Sequence, residues 1–410
     1  MIKKLLCIII SLILIIPLFA CEDRVDTDDY AYVIAIGVDE GEDKDIKITF
    51  SFANSIKIGG GSTDSGSNSQ GEEGNLINFT ISSTSMFTGL DILRNNISKK
   101  VNLSHVKLIV FSKNIAKKGL SEYTDGFIRE FKIRPITFMA VAEKSAEDYL
   151  NALSPLMAVN PEKYIKNLFS RGKSDFGAKI DIYTFYINSQ VDDKDVILPM
   201  VGVISEKEDK NEQTNEKIKS DSMDISAIPL KSKNKATIIG NAVFKGDKMV
   251  DAGENSEQLF LNILRGVGGT FDYTVGKDSP GQIVLTVIQR DKPDVYADVS
   301  GATPKISTII PLECEITSLG KGNLNESDFK KIEQMLSSEL EADLKKYFFK
   351  ISREAKCDAI GYGRYAKMHF ENWEKWQRYN WQKRIPDIEY SVKVQGKILK
   401  FGILDEGFKP

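Results

Sequence analysis

Two hydrophobic periods alternate along this chain, and their order predicts the elements. Tyr30 to Val38 is almost continuously apolar, the pattern of a buried strand, while Ile46, Ile48, Phe50 and Phe52 alternate with Lys47, Thr49 and Ser51 as in a half-exposed one. The polar turn Asp39 to Asp45 separates them. Leu76 to Ser82 predicts a further strand, and Phe87, Leu90, Leu93 and Ile97 mark a helix face. His105 to Phe111 predicts a strand, Tyr123, Phe127 and Phe131 a helical stripe, and Thr137 to Glu143 another strand. Asn160-Pro161 opens a helix, with a capping side chain followed by proline at the first helical position. This first region closes near Val203.

Residues 205 to 224 are almost wholly charged and polar, which predicts a linker or exposed insertion over 205–235. Beyond it, Ala236 to Lys245 reads as a strand, Gly246-Asp247 as a turn, and Leu259, Ile263 and Val267 as one face of a helix. Strands follow at Gln282 to Gln289 and Pro304 to Thr317. A long helix is expected at about 326–356, because Phe329, Ile332, Leu336, Leu340, Leu344, Phe348 and Ile351 advance by three or four throughout. Ile388, Tyr390, Val392 and Val394 alternate with polar residues, so the chain is expected to end in an antiparallel strand or hairpin. Mixed order without a regular βαβ repeat predicts a multidomain α+β fold of mixed, mostly antiparallel sheets with packed helices. The expected divisions are a leader at 1–20, an N-terminal α+β region at 21–204, the polar segment at 205–235 and a C-terminal α+β domain at 236–410.

The N-terminus changes the picture from fold to location. Lys3 and Lys4 precede an apolar run from Leu5 to Phe19, and Leu18-Phe19-Ala20-Cys21 has the form of a lipobox. A run of about 15 apolar residues falls short of the roughly 20 that span a bilayer. Cleavage before Cys21 and a diacylglyceryl group on its thiol are therefore expected, with the mature body outside the cytoplasm. Phe19 is bulkier than the residue usual there. With Lys3 and Lys4 removed, 53 basic residues face 58 acidic ones, a net charge of −5 that argues against nucleic acid and against anionic lipid as an electrostatic partner. Hydrophobic content of 41% and charged content of 28% are those of ordinary globular domains. Residues 59 to 74 carry no apolar side chain and read as a mobile loop. Cys314 and Cys357 remain as two buried thiols, with a disulfide the alternative.

Candidate chemistry is sparse. His105 and His369 are the two histidines, in unrelated contexts, and no HExxH, paired CxxC or Gly-x-Ser-x-Gly occurs. His105 reads as a structural residue at a strand entry. Asp39, Asp43 and Asp45 lack the glycine and closing glutamate of an EF-hand and read as a solvated turn. Gly361-Tyr362-Gly363 follows a helix and lacks the third glycine of a phosphate loop. Trp373 and Trp376 share a helix face and Trp381 points elsewhere, which suggests core plus one exposed anchor. No metal site and no catalytic residue is expected. Carboxylates such as Asp181 and Asp192 could converge only through a fold.

Several blocks together carry a resemblance: Cys21 followed by Glu22, Asp23 and Arg24; Ala31-Tyr-Val-Ile-Ala-Ile-Gly37-Val-Asp39; Ser104-His105-Val-Lys107-Leu-Ile-Val-Phe111; Gly240-Asn-Ala242-Val-Phe244-Lys245; and Asp358-Ala-Ile-Gly361-Tyr-Gly363. In this order they resemble the C-subunit lipoproteins of nutrient germinant receptors in endospore-forming bacteria, the Ger(x)C family, from the lipobox to the final strand. Glu22 stands where a member usually carries a tryptophan soon after the lipid cysteine, and 59–74 resembles a local insertion. The resemblance implies a non-enzymatic subunit held by lipid on the outer face of the spore inner membrane, beside a multispan A subunit and a transporter-like B subunit. It implies no cofactor beyond the diacylglyceryl and N-acyl lipid on Cys21. Gly361, Gly363 and Trp381 are the candidate interface: the glycines supply backbone angles other residues resist, and a surface tryptophan is a typical anchor; the alternative is that the glycines only make a turn and Trp381 is core. The rival readings are a solute-binding lipoprotein of a transporter, which calls for two similar α/β lobes, and a lipid-anchored hydrolase.

Overall fold

The apolar runs become the centre of a sheet covered on both faces. The structure, a computed structural model, describes residues 29–42, 45–54, 76–129, 132–155, 160–170, 180–204, 233–276, 282–319 and 326–401. Cys21, the 59–74 loop and most of the 205–235 segment lie outside the described residues. The strands of the first sheet are β1 (Tyr30–Glu40), β2 (Ile46–Ala53), β3 (Leu76–Ser83), β4 (Lys100–Asn102), β5 (Leu108–Ser112), β6 (Phe138–Ala142), β7 (Ile197–Val203), β8 (Ala236–Lys245) and β9 (Lys248–Glu254). They stand in the order β3-β2-β1-β5-β6-β7-β8-β9, with β4 beside the start of β1. The β1-β5-β6-β7 centre is parallel and both flanks are antiparallel.

Successive residues of the central strands enter opposite cores, which is why their sequences do not alternate. Ile109 and Phe111 pack on one side with α1 (Met86–Asn96), α2 (Lys113–Lys118), α3 (Ser121–Arg129) and α6 (Ile182–Asn188). Leu108 and Val110 pack on the other with α4 (Ala146–Ala152) and α5 (Pro161–Ser170). The expected cap of α5 is present: Asn160 Oδ1 accepts the N–H groups of Glu162 (2.9 Å) and Lys163 (3.3 Å). In α1 the buried face is Met86, Gly89, Leu90 and Leu93, and Phe87, expected inside, is exposed.

A second sheet joins β10 (Gly269–Val275), β11 (Ile283–Gln289), β12 (Asp294–Asp298), β13 (Lys305–Leu319) and β14 (Glu389–Phe401). Helix α7 (Asn255–Arg265) links the sheets; its buried face is Leu261, Ile263 and Leu264, and Val267, expected on it, is exposed past the helix end. Helix α8 (Glu326–Phe349), continued by a π-helical turn at Lys350–Glu354, lays Ile332, Leu336, Leu340, Leu344, Phe348 and Ile351 on one face of the second sheet. Full burial of such side chains is worth about 1.5 to 3 kcal/mol each as an upper bound. Gly396 of β14 admits this contact, since a Cβ there would lie 2.9 Å from Leu336 Cδ2. The same helix shields the outer edge of β14, where Glu341 accepts the Val394 N–H and Glu333 the Ile398 N–H, both at 2.8 Å. Three short helices, α9 (Gly363–Lys367), α10 (Trp373–Tyr379) and α11 (Trp381–Arg384), complete this half.

Two expectations are corrected here. β14 pairs with β13 in parallel, because α8 to α11 carry the chain back along the sheet between them; alternation reports a solvated face and is blind to strand direction. And the polar 205–235 stretch is not where the sheets divide: β8 and β9, which follow it, pair onto β7 and complete the first sheet.

Candidate functional site

The Asp358 to Gly363 block folds around its own carboxylate. Asp358 Oδ1 accepts the N–H groups of Gly361 and Tyr362, each at 2.8 Å, and Oδ2 accepts the Gly363 N–H at 2.5 Å and the Trp381 indole N–H at 3.0 Å. Burial pushes this carboxyl up from its ordinary range, against the four donors that hold it down. Gly361 sits at φ +88°, where a side chain is strained. Gly363 has no room for one, since a Cβ would meet Trp381 Nε1 at 2.6 Å and the Asp193 carbonyl oxygen at 2.7 Å.

That close approach makes the block a seam between the sheets. Asp195, just ahead of β7, donates its N–H to the Asp358 carbonyl (2.9 Å) and accepts the Asp358 N–H on Oδ2 (2.7 Å). Burial raises Asp195 to about 6, and the neighbouring Asp358 charge pushes the same way. Lys367 reaches Asp193 (3.1 Å), Gln377 reaches the Asp192 carboxylate (2.9 Å), and Gln382 reaches the Asp192 carbonyl (3.2 Å). The half-buried Arg265 guanidinium donates to the Ala359 carbonyl. Around these lie packed rings: Trp376 stacks with Trp381 and Phe348 with Tyr390, while Phe370 meets Trp376 edge-on and Tyr379 at a tilt.

Of the candidate interface residues, Gly361, Gly363 and Trp381 are thus brought together, but Trp381 is only 1% exposed. The expectation of a surface anchor at Trp381 is corrected. Its N–H has a buried acceptor and its ring a stacking partner, so it is core. The exposed ring is Trp373, at 52%, with Lys367 over its face; Trp373 and Trp376 do not share a buried face.

The other blocks also hold the body together. Gly37 lets α4 approach β1, its would-be Cβ lying 3.0 Å from Leu150 Cδ1. Asp39, expected in a solvated turn, is buried and caps α4 through the N–H groups of Ala146 (2.7 Å) and Glu147 (2.9 Å). His105 Nδ1 lies 3.2 Å from Glu162, which also holds Lys107 at 2.9 Å. Lys245 donates to the Lys356 carbonyl across the seam (2.9 Å). Asp181 caps α6 through the Thr184 N–H. Asp181 and Asp192 are therefore committed to separate structural bonds, and among the described residues no group of three or more His, Cys, Asp or Glu side chains is arranged to hold a metal. Cys314 and Cys357 are buried free thiols, and burial pushes Cys314 up to about 12 and raises Cys357 as well. Sequence reasoning missed Asp195 and Asp358 as partners; the one signal was Asp358 three and five residues before two glycines, the spacing of a carboxylate wrapped by its own loop.

Sequence models of two spore germination domains match this chain: the N-terminal domain of spore germination proteins over residues 23–203, and the C-terminal domain of the spore germination B3 and GerAC-like proteins over residues 239–402. The chain belongs to the Ger(x)C family of spore germination proteins. It is 24% identical to spore germination protein KC of Bacillus subtilis (strain 168), covering 100% of this chain and 98% of that one. It is 23% identical to spore germination protein GerQC of Bacillus cereus, covering 97% and 99%. The crystal structure of the GerBC protein shares the fold, with a TM-score of 0.53 at 16% identity over 89% of this chain and 96% of that one. The family blocks therefore fall on the seam, on the α4 dock and on the strand centre. No helix among the described residues is long and apolar enough to cross a membrane.

Proposed function

We propose that this protein is the lipid-anchored C subunit of a nutrient germinant receptor and acts without catalysis, in assembly or signalling beside membrane A and B subunits. The observation that carries the reading is the end-to-end family match, joined to the fate of the family blocks: their glycines and carboxylates are consumed in docking elements onto one another. A diacylglyceryl and N-acyl lipid on Cys21 would hold the body at the outer face of the spore inner membrane. Two or more acyl chains, at about 0.8 kcal/mol per buried methylene, make such an anchor stable where one chain is reversible.

Cys21→Ala tests the anchor: the expected result is loss of fatty-acid labelling and release from membranes, and retention of both overturns it. Deleting the chain tests the role. Nutrient-triggered germination should fall while germination by agents that bypass receptors continues; an unchanged nutrient response, with no paralogue present, overturns the receptor assignment. If the 358–381 segment contacts the membrane subunits, the variant to use is Trp373→Ala, whose ring is exposed. Co-purification of the A and B subunits should drop, and full recovery removes the segment from the interface.

A further inference from the structure

We propose that the end of the first sheet at which β1 begins is a membrane-docking surface that takes the headgroup layer of a bilayer containing anionic phospholipid. The inference rests on the lipid-anchored reading. Strand register assembles this end. Tyr30 lies against Lys100, and Ala35, Leu108 and Phe138 are level across the parallel strands, so the turns that lead into β5 and β6 sit at the end where β1 starts. From the last described residue on this side, Asp29, eight peptide steps lead to Cys21 and cover at most about 29 Å. A lipid on Cys21 therefore keeps this end at a high local concentration against the bilayer, while the far end of β1 is about 35 Å further along the strand.

The chemistry of this end suits a headgroup layer. Lys99, Lys100, Lys132 and Arg134 are exposed and form no ion pair among the described residues. Among the described residues, Glu162 holds Lys107 and His105, Asp91 holds Arg94, and Asp181 caps α6. Asp29 is the exposed acid at the strand's start. Set among the cations are two apolar side chains that no core claims, Ile136 at 67% exposure and Tyr183 at 57%, tied side by side by the Tyr183 N–H on the Pro135 carbonyl (3.1 Å). Cations around an exposed aliphatic and a tyrosine match the interface of an anionic bilayer. The opposite end of β1 is of mixed charge: Glu40 pairs with Lys118, and Glu42, Lys117 and Lys144 are exposed there. The net charge of the whole chain, which argues against anionic lipid, is a sum that does not report the local charge of this end.

The test uses the full lipidated chain on vesicles of phosphatidylcholine with and without phosphatidylglycerol. Single cysteines at Ile136 and Glu42 carry an environment-sensitive fluorophore, and the buried Cys314 and Cys357 do not compete for it. Quenching by spin-labelled lipid should be several-fold stronger at position 136 than at 42. The contrast should fall at least two-fold without phosphatidylglycerol, and likewise in the combined variant Lys99→Glu, Lys100→Glu, Lys132→Glu, Arg134→Glu. Equal quenching at 136 and 42 on vesicle-bound protein overturns the proposal, as does an undiminished contrast without anionic lipid. If the labelled variants misfold, hydrogen exchange of the unaltered protein decides: slowed exchange at 99–102 and 132–137 on vesicles relative to detergent micelles supports the surface, and unchanged exchange overturns it. Failure of the anchor is read separately, from fatty-acid labelling of the wild-type chain and its loss in Cys21→Ala.

Discussion

The two sheets of this protein bury themselves in different ways. Around β5 and β6 both faces are core, and every residue from Leu108 to Ser112 and from Phe138 to Ala142 is buried. Among the described side chains of β14, Val392 and Val394 are the buried ones, and Ser391, Lys393 and Gln395 face water. A parallel centre needs helices on both faces to return the chain, and so becomes a three-layer structure; a sheet backed by one long helix can leave its other face to polar side chains. The first arrangement spends apolar residues at every position, and the second at every other one. Between them lies a seam that is polar, buried and fully hydrogen-bonded at Asp358.

The comparison breaks first at that seam. Trp381→Ala removes a stacked ring and the fourth donor of Asp358, and should cost about 3 to 5 kcal/mol by thermal or denaturant unfolding. A loss below 1 kcal/mol would show that the sheets hold together without it. Next, alanine at successive positions separates two-sided from one-sided burial. Ile109→Ala should lose about 2 to 5 kcal/mol and Val110→Ala somewhat less, whereas Val392→Ala is costly and Lys393→Ala within about 0.5 kcal/mol of wild type. Equal costs at 392 and 393 would erase the distinction.

A third test uses pH. Asp195 titrates near 6 in the folded protein against an ordinary value of 3.8, so the stability it contributes is fully present below about pH 4 and is lost as pH rises through 6. Glu147 and Glu162, held low by their lysine partners, lose stability in the opposite direction, as pH falls. The informative quantity is therefore wild type minus Asp195→Asn across pH 4 to 7, expected to drift by no more than about 2 to 3 kcal/mol. A flat difference would mean Asp195 is not desolvated at the seam. The smallest effect is expected at the sheet edge. Glu341→Ala exposes one N–H of β14 and should cost about 1 kcal/mol while raising self-association, which sedimentation would detect.

Much of this architecture was legible from side-chain period alone. The run at 30–38, the heptad-like stripe of α8 and the Asn160-Pro161 start all appear where the pattern puts them, because each depends on local burial. What was not legible depended on partners far away in the chain. Nothing near Trp381 reveals that Asp358 will accept its indole N–H, nor does a polar stretch before Ala236 reveal that β8 turns back onto β7. Phe87 and Val267 carried the right spacing and still face water, Phe87 because a stripe three or four residues apart does not say how far round the helix its neighbours extend, and Val267 because the helix ends at Arg265. The glycines of the Asp358 block were visible as special; that they serve close packing rather than an exposed contact required knowing what lies 2.6 Å away.

The completion of the first sheet by β8 and β9 bears on how members of this family can exchange parts. The two matched sequence domains end and begin at residues 203 and 239, yet the strands on either side of that gap are hydrogen-bonded neighbours. A chain cut there would leave β7, apolar on both faces, as a raw edge, and its downstream piece would begin with two strands that have no sheet to join. A chimera between relatives is therefore expected to fold only where β7, β8 and β9 travel together with the first half, so that the exchangeable unit runs to about Glu254.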